Sequence, residues 1–237
     1  MTLDTRLLGR DIVAQDTWSF RFAKPPGFKF KPGQAIDLIL PGFEGEPDAA
    51  KHAFSIVSAP REDDVTIATR MRGSAYKRAL GALEVGAPAS IDGPFGSLTL
   101  HKDAQRDALL VAGGIGITPF MSMLRHASGE PALRRHVLVY SNRRPEDSAF
   151  LAELQALEKG ERVRLVATMT NMERSSSPWT GPSRMVDAAL VKDAVKDLSN
   201  PIACLAGPPA MVAGMREVLV AAGIDEDDIR AEEFFGY

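Results

Sequence analysis

Ala108-Leu109-Leu110-Val111-Ala112-Gly113-Gly114-Ile115-Gly116-Ile117-Thr118-Pro119 sets the architecture of the second half of the chain. The apolar run 108–112 reads as a buried strand, and the glycines and Pro119 interrupt it before an apolar helix begins. Glycines allow positive φ and close backbone approach, while free N–H groups and the dipole at a helix start favour an anion. Thr118 suits the helix cap and Pro119 the first helical position. Two readings fit equally well: a dinucleotide phosphate site built on Gly113, Gly114, Gly116, Thr118 and Pro119, or a tight connection with no ligand. The order is G-x-G-x-x-P, which departs from the G-x-G-x-x-G dinucleotide fingerprint.

Downstream the alternation continues. The pattern predicts helices Pro119–His126, Ala149–Leu157, Met185–Val195 and Met211–Ala222, and strands His136–Tyr140, Val163–Ala167 and Ile202–Leu205, while a last strand, Ile229–Phe234, with a frayed tail is one reading of the chain end. Such alternation specifies a parallel sheet with crossover helices. Upstream the period is two: Trp18, Phe20 and Phe22 alternate with polar residues, and Ala35–Leu40 follows a Lys-Pro-Gly turn. Further strands are expected over Ala53–Val57, Val65–Thr69 and Ala89–Ile91, with one helix, Ala75–Leu83, and a polar loop, Gly42–Ala50. Short strands between turns suggest a small barrel or sandwich. The change of rhythm near His101 to Gln105 divides the chain into two expected domains, 1–101 and 102–237.

At 237 residues, 45% apolar and 25% charged, the chain is long enough for two domains and belongs with globular proteins. A net charge of −3 offers no basic field for a phosphate backbone, so nucleic acid is not an expected partner. The single cysteine, Cys204, excludes an intramolecular disulfide, a cysteine zinc site and a cysteine-ligated iron–sulfur cluster. No metal is expected. The uncharged stretch 108–124 is shorter than the ~20 residues that span a bilayer. The charged N-terminus lacks the apolar core of a secretion signal, and a cytoplasmic location is expected.

Six segments in order, His52-Ala53-Phe54-Ser55, Arg72-Gly73-Ser74, Gly93-Pro94-Phe95-Gly96, the glycine turn, Cys204–Met211 and Glu232-Glu233-Phe234-Phe235-Gly236-Tyr237, together resemble the ferredoxin–NADP⁺ reductase-like superfamily, and Arg70 and Met71, just before the second segment, count with its candidate cofactor-binding residues. The resemblance implies an antiparallel flavin-binding β-barrel followed by an α/β nucleotide-binding domain with a five-stranded parallel sheet. It implies FAD, with FMN the alternative, and NADPH or NADH as hydride donor. By the family's R-x-[YF]-S motif, Phe54 would lie against the isoalloxazine and Ser55 would hydrogen-bond near N5 and O4. The motif's phosphate-binding arginine is replaced by His52, and because a neutral imidazole cannot grip phosphate as a guanidinium does, either the ligand protonates His52 or Lys51, Arg70 or Arg72 offsets the loss. Arg72-Gly73-Ser74 resembles the second flavin-phosphate segment.

The resemblance places Gly207, Pro208 and Met211 at the nicotinamide half of the dinucleotide. Many members have cysteine immediately before that glycine; here the residue is Ala206, and Cys204 shares its strand face as a core thiol. Hydride transfer needs no protein nucleophile, so no thiol step is implied. The family's chain end covers the flavin, which makes Tyr237 the implied cover, Phe235 the second choice and Glu233 a neighbour of N5. Ser141, Arg143 and Arg144 follow the second strand of the nucleotide domain, where an arginine would bind the 2′-phosphate of NADPH or stack on adenine in an NADH enzyme. The implied activity passes electrons to an acceptor outside the chain: a ferredoxin, a flavodoxin, an oxygenase component or a small molecule. A non-catalytic flavin-binding regulatory or scaffold module is the rival reading.

Overall fold

The computed structural model describes residues 2–43, 49–103, 105–129, 134–160 and 162–235. The middle of the expected loop at Gly42–Ala50, and Gly236 and Tyr237, therefore lie outside the described residues.

The first half forms strands β1 (Thr2–Ala14), β2 (Thr17–Ala23), β3 (Ala35–Ile39), β4 (Lys51–Ser55), β5 (Asp64–Arg70) and β6 (Pro88–Phe95), with helix α1 (Ala75–Ala82) between the last two. They make a six-stranded antiparallel sheet in the order β4-β3-β6-β1-β2-β5. Its two edges pack against each other, and beyond them Val57 N–H donates to Thr66 O at 2.7 Å, so the sheet curls into a barrel. Phe20, Phe22, Ile36, Leu38, Ile67 and Ile91 fill its interior.

Strand β1 was not among the expected elements. Seven of its thirteen residues are exposed, and two register shifts, at Leu7/Gly9 and Ile12/Ala14, break its alternation. A charged, bulged strand with one strongly buried side chain, Leu7, carries almost no period-two signal.

The second half runs β7 (Ala108–Gly113), α2 (Thr118–Ser128), β8 (His136–Asn142), α3 (Leu151–Glu158), β9 (Val163–Met169), α4 (Ala188–Val195), β10 (Ile202–Gly207), α5 (Pro209–Ala221) and β11 (Ile229–Glu233). Its sheet is five-stranded and parallel, in the order β11-β10-β7-β8-β9. Each face of β7 is covered: Leu110 and Ala112 enter the core shared with α2, Leu109 and Val111 the core under α4 and α5. That double burial is why the strand reads as a continuous apolar run.

Helices α3 and α4 begin later than the apolar pattern suggests. Phe150 adopts a left-handed conformation, φ 60°, immediately before α3. Asp187 caps α4 by accepting from Leu190 N–H at 2.8 Å, leaving Met185 outside the helix and 72% exposed.

Candidate active site between the two sheets

The chain leaves β7 towards β8 and β9 on one side and later returns to β10 and β11 on the other. The carboxyl ends of β7 and β10 therefore flank a topological switch point, the place where open α/β sheets leave a crevice. Gly113 and Gly207 end those strands, and the Met211 side chain packs against both, 2.7 Å from the position of a Cβ on Gly207. Pro208 lies beside Gly113.

The glycine turn is a short 3₁₀ segment, 114–117, that runs directly into α2. Gly114 takes the left-handed φ of +55° that favours glycine. Gly116 is different. A Cβ there would meet Ala206 O at 2.3 Å and Gly207 N at 2.8 Å, so its missing side chain serves close packing on β10 and not ligand approach. Thr118 does not cap the helix either: it is already helical, and its hydroxyl donates back to Ile115 O at 3.0 Å. Pro119 is buried at the start of α2.

A cavity of about 470 Å³ opens between this edge and the first sheet, within the size range of small-molecule sites. It brings together His52, Ala53, Phe54, Ser55, Arg72, Ser74, Thr118, Glu233 and Phe235 among the sequence-predicted residues. Register explains the first group: β4 pairs with β3 so that Phe54 faces Ile36 and Ser55 faces Ala35. Phe54 is half-buried and its ring lies 6.0 Å from that of Tyr76, whose hydroxyl donates to Leu38 O at 2.8 Å. On the opposite side, Phe234 N–H donates to Gly207 O at 2.9 Å, which ties the end of β11 to the rim of the switch point.

Other predicted residues stand apart from the cavity. Met71 packs into the barrel core and against Gly81. Gly73 is exposed and precedes Ser74, whose hydroxyl caps α1 by accepting from Lys77 N–H at 3.2 Å. Ser141 sits beside Gly113 in register. Arg143 is exposed beyond it. Arg144 is engaged: its guanidinium donates to both Asp147 oxygens at 2.8 and 2.9 Å and to Gln15 Oε1 at 2.9 Å. Cys204 is buried in the core, which pushes its thiol up to about 11 and keeps it protonated at neutral pH.

Electrostatics single out a cationic wall. Arg70, with its guanidinium against Gly114, is held below the usual arginine range by burial and by Arg143 and Arg72. Lys77, which lines the cavity, is lowered by burial and by Arg72 and Arg70. Among the described residues none of these four side chains has a hydrogen-bond or ion-pair partner. Lys51 is no part of the wall, because Asp37 at 2.8 Å and Asp92 at 3.3 Å hold its ammonium. Unpaired cations around a concave site, an aromatic plate at Phe54, and hydroxyls at Ser55 and Thr118 fit a ligand with an aromatic head and an anionic pyrophosphate.

Three polar lining residues were not among the predicted site residues. Thr69 is the penultimate residue of β5, one before Arg70. Glu232 precedes Glu233, and burial raises its carboxyl above the ordinary range. Lys77 had a legible signal, since a cap at Ser74 puts it in the first turn of α1.

A barrel that presents an aromatic strand and cations to the switch point of a parallel sheet defines a two-domain flavin and nicotinamide oxidoreductase. The comparisons agree. Residues 110–217 match the family described as oxidoreductase NAD-binding domain. Ferredoxin–NADP reductase B of Sorangium cellulosum is 34% identical over 81% of this chain and 75% of its own length. The reductase component of propane 2-monooxygenase from Rhodococcus jostii is 29% identical over 97% of this chain, which spans 63% of that protein. A ferredoxin NADP⁺ reductase from Neisseria gonorrhoeae, solved with FAD and NADP, superposes with a TM-score of 0.79 at 21% identity, covering 99% of both chains. The chain belongs to the ferredoxin–NADP reductase-like family of FAD- and NAD(P)-binding oxidoreductases. Among the described residues no helix is long and apolar enough to cross a membrane.

Proposed function

We propose that residues 1–101 bind FAD, that residues 102–237 bind NADPH or NADH, and that the chain passes electrons from the nicotinamide through the flavin to an acceptor outside this chain. The observation that carries the reading is the single cavity in which Phe54 and Ser55 of the barrel face Thr118 and Glu232 of the switch point. Bound there, the flavin supplies a hydride acceptor that can release electrons singly. Phe54 provides an apolar face that excludes water, and Ser55 offers a hydroxyl at the ring edge. Gly113, Gly207 and Pro208 offer a backbone surface on which a nicotinamide can lie flat, so the protein's contribution is orientation. Glu232, with its raised pKa and place in the cavity, holds a proton more readily than an exposed carboxylate. Glu233, Phe235 and Tyr237 belong to the same chain end as neighbour and covers of the ring.

The acceptor class follows from the relatives' roles as a ferredoxin reductase and as a reductase component of an oxygenase. A ferredoxin, a flavodoxin, an oxygenase component or a small molecule is the proposed acceptor, since Cys204 alone supplies no ligand set for a cysteine-bound cluster within these residues. Anaerobic addition of NADPH, and separately NADH, to the purified protein tests the reading by its flavin absorption. Bleaching with either donor is expected; a protein that binds FAD but is not bleached by either would overturn the redox function.

A further inference from the structure

We propose that the phosphate-gripping cation missing from position 52 has been relocated to helix α1, where the ammonium of Lys77 takes its place against the flavin's phosphate. The inference rests on the flavin reading above. Four observations carry it. Lys77 lines the same cavity as His52, Phe54 and Ser55. Its aliphatic stem is half-buried while its ammonium has no acceptor among the described residues. Its position in the first turn of α1, three residues after Ser74, puts it beside Arg72 and Arg70. A desolvated cation among other cations is unfavourable unless an anion joins them.

His52 cannot fill the role itself. Its ring stands edge-on to Tyr76 with centroids 4.1 Å apart, and burial together with the charge of Lys77 keeps the imidazole neutral. Both side chains line the same cavity. The remaining neighbours are accounted for: Lys51 is paired with Asp37 and Asp92, the Arg78 guanidinium donates to Gly73 O, and Arg70 is turned towards Gly114. Arg72 lines the cavity but is exposed, which leaves Lys77 as the half-buried cation that both lines the cavity and lacks a partner among the described residues.

The test measures binding, not turnover. The full-length protein is stripped of flavin and titrated with FAD, FMN and riboflavin by quenching of flavin fluorescence. Lys77→Met, which keeps the stem, is expected to weaken FAD and FMN by about ten- to a hundredfold and to leave riboflavin, which has no phosphate, unchanged. Lys77→Arg should retain FAD binding, and His52→Arg added to Lys77→Met should recover it. Unchanged FAD affinity in Lys77→Met, or an equal loss for riboflavin, overturns the inference, as does a double variant no better than the single one. Melting curves followed by circular dichroism check that Lys77→Met folds, and the Arg variant carries the same question should it not. A wild-type protein that binds none of the three flavins would instead overturn the flavin reading, and this inference with it.

Discussion

Both oxygens of Asp147, the side-chain oxygen of Gln15 and the carbonyl of Arg174 receive the guanidinium of Arg144, whereas Arg143 donates to nothing among the described residues and faces Arg70. Of the two, Arg143 is the one left free among the described residues, which makes it the candidate for a 2′-phosphate. Replacing Arg143 by Ala should therefore raise KM for NADPH by about ten- to a hundredfold and leave KM for NADH nearly unchanged, by the loss of one charge-assisted hydrogen bond. Steady-state kinetics with both donors check this, and equal effects would reassign Arg143 to adenine stacking. Arg144→Ala should behave as a structural lesion: a lower melting temperature, with the ratio of the two KM values retained. The pair was legible in the sequence as two adjacent cations after a strand. Their division of labour was not, because one partner, Gln15, lies 129 residues away in the chain. His52 was legible as a gap in the phosphate grip, but its stacking on Tyr76 and its neutrality depend on how α1 lies over β4.

Gly116 and Gly214 are both glycines without positive φ, yet their surroundings predict opposite substitutions. A methyl at Gly116 would press on the backbone of Ala206 and Gly207, which cannot turn aside as a side chain could. Gly116→Ala should destabilise by about 3 kcal/mol or more, and a chain of this size should lose roughly 6 to 12 °C in Tm. Gly214 lies inside α5 with open space around it, so Gly214→Ala should stabilise by about 0.5–1 kcal/mol through helix propensity. Calorimetry on the two variants separates the effects, and a neutral Gly116→Ala would mean that the turn yields. The glycine turn was the most legible element in the chain, since an apolar strand, three glycines and a proline leave few alternatives. What it could not reveal was that Gly116 is the glycine packed against β10. Strand β1 was illegible for a different reason: its bulges shift the register twice, and most of its side chains face solvent.

Barrel and parallel sheet are joined by a shared core, in which Val57, Ala68 and Leu98 of the first half pack with Phe120, Met121 and Leu124 of α2. Buried hydrogen bonds reinforce it, such as Ser122 Oγ to Ser58 O at 2.7 Å. An apolar interface of this kind makes the two halves unfold together, so a proton-linked penalty in one half is felt by the entire chain. One such penalty sits far from the cavity, at the amino end of the parallel sheet. His136 opens β8, is only 2% exposed, and has no hydrogen-bond partner at either ring nitrogen. Burial lowers its pKa to about 4, with Arg134 and His101 adding repulsion and Asp107 opposing them. The unfolded chain binds a proton at His136 near pH 6.5, whereas the folded chain resists until about pH 4. More protons bound in the unfolded state means that stability rises with pH, so stability is lost as pH falls through that window and the loss is complete near the folded pKa. From the difference of the two values the loss is about 3 kcal/mol. His101, 6% exposed and also lowered by burial and Arg134, adds to the same slope. His136→Leu should remove most of it: urea unfolding at pH 7 and at pH 4.5 should differ far less in the variant than in the wild type. Identical pH dependence in the two proteins would show that His136 is not the group that titrates. Because the cluster lies at the opposite end of the strands from Gly113 and Gly207, flavin and nicotinamide affinities at pH 7 should be the same in both.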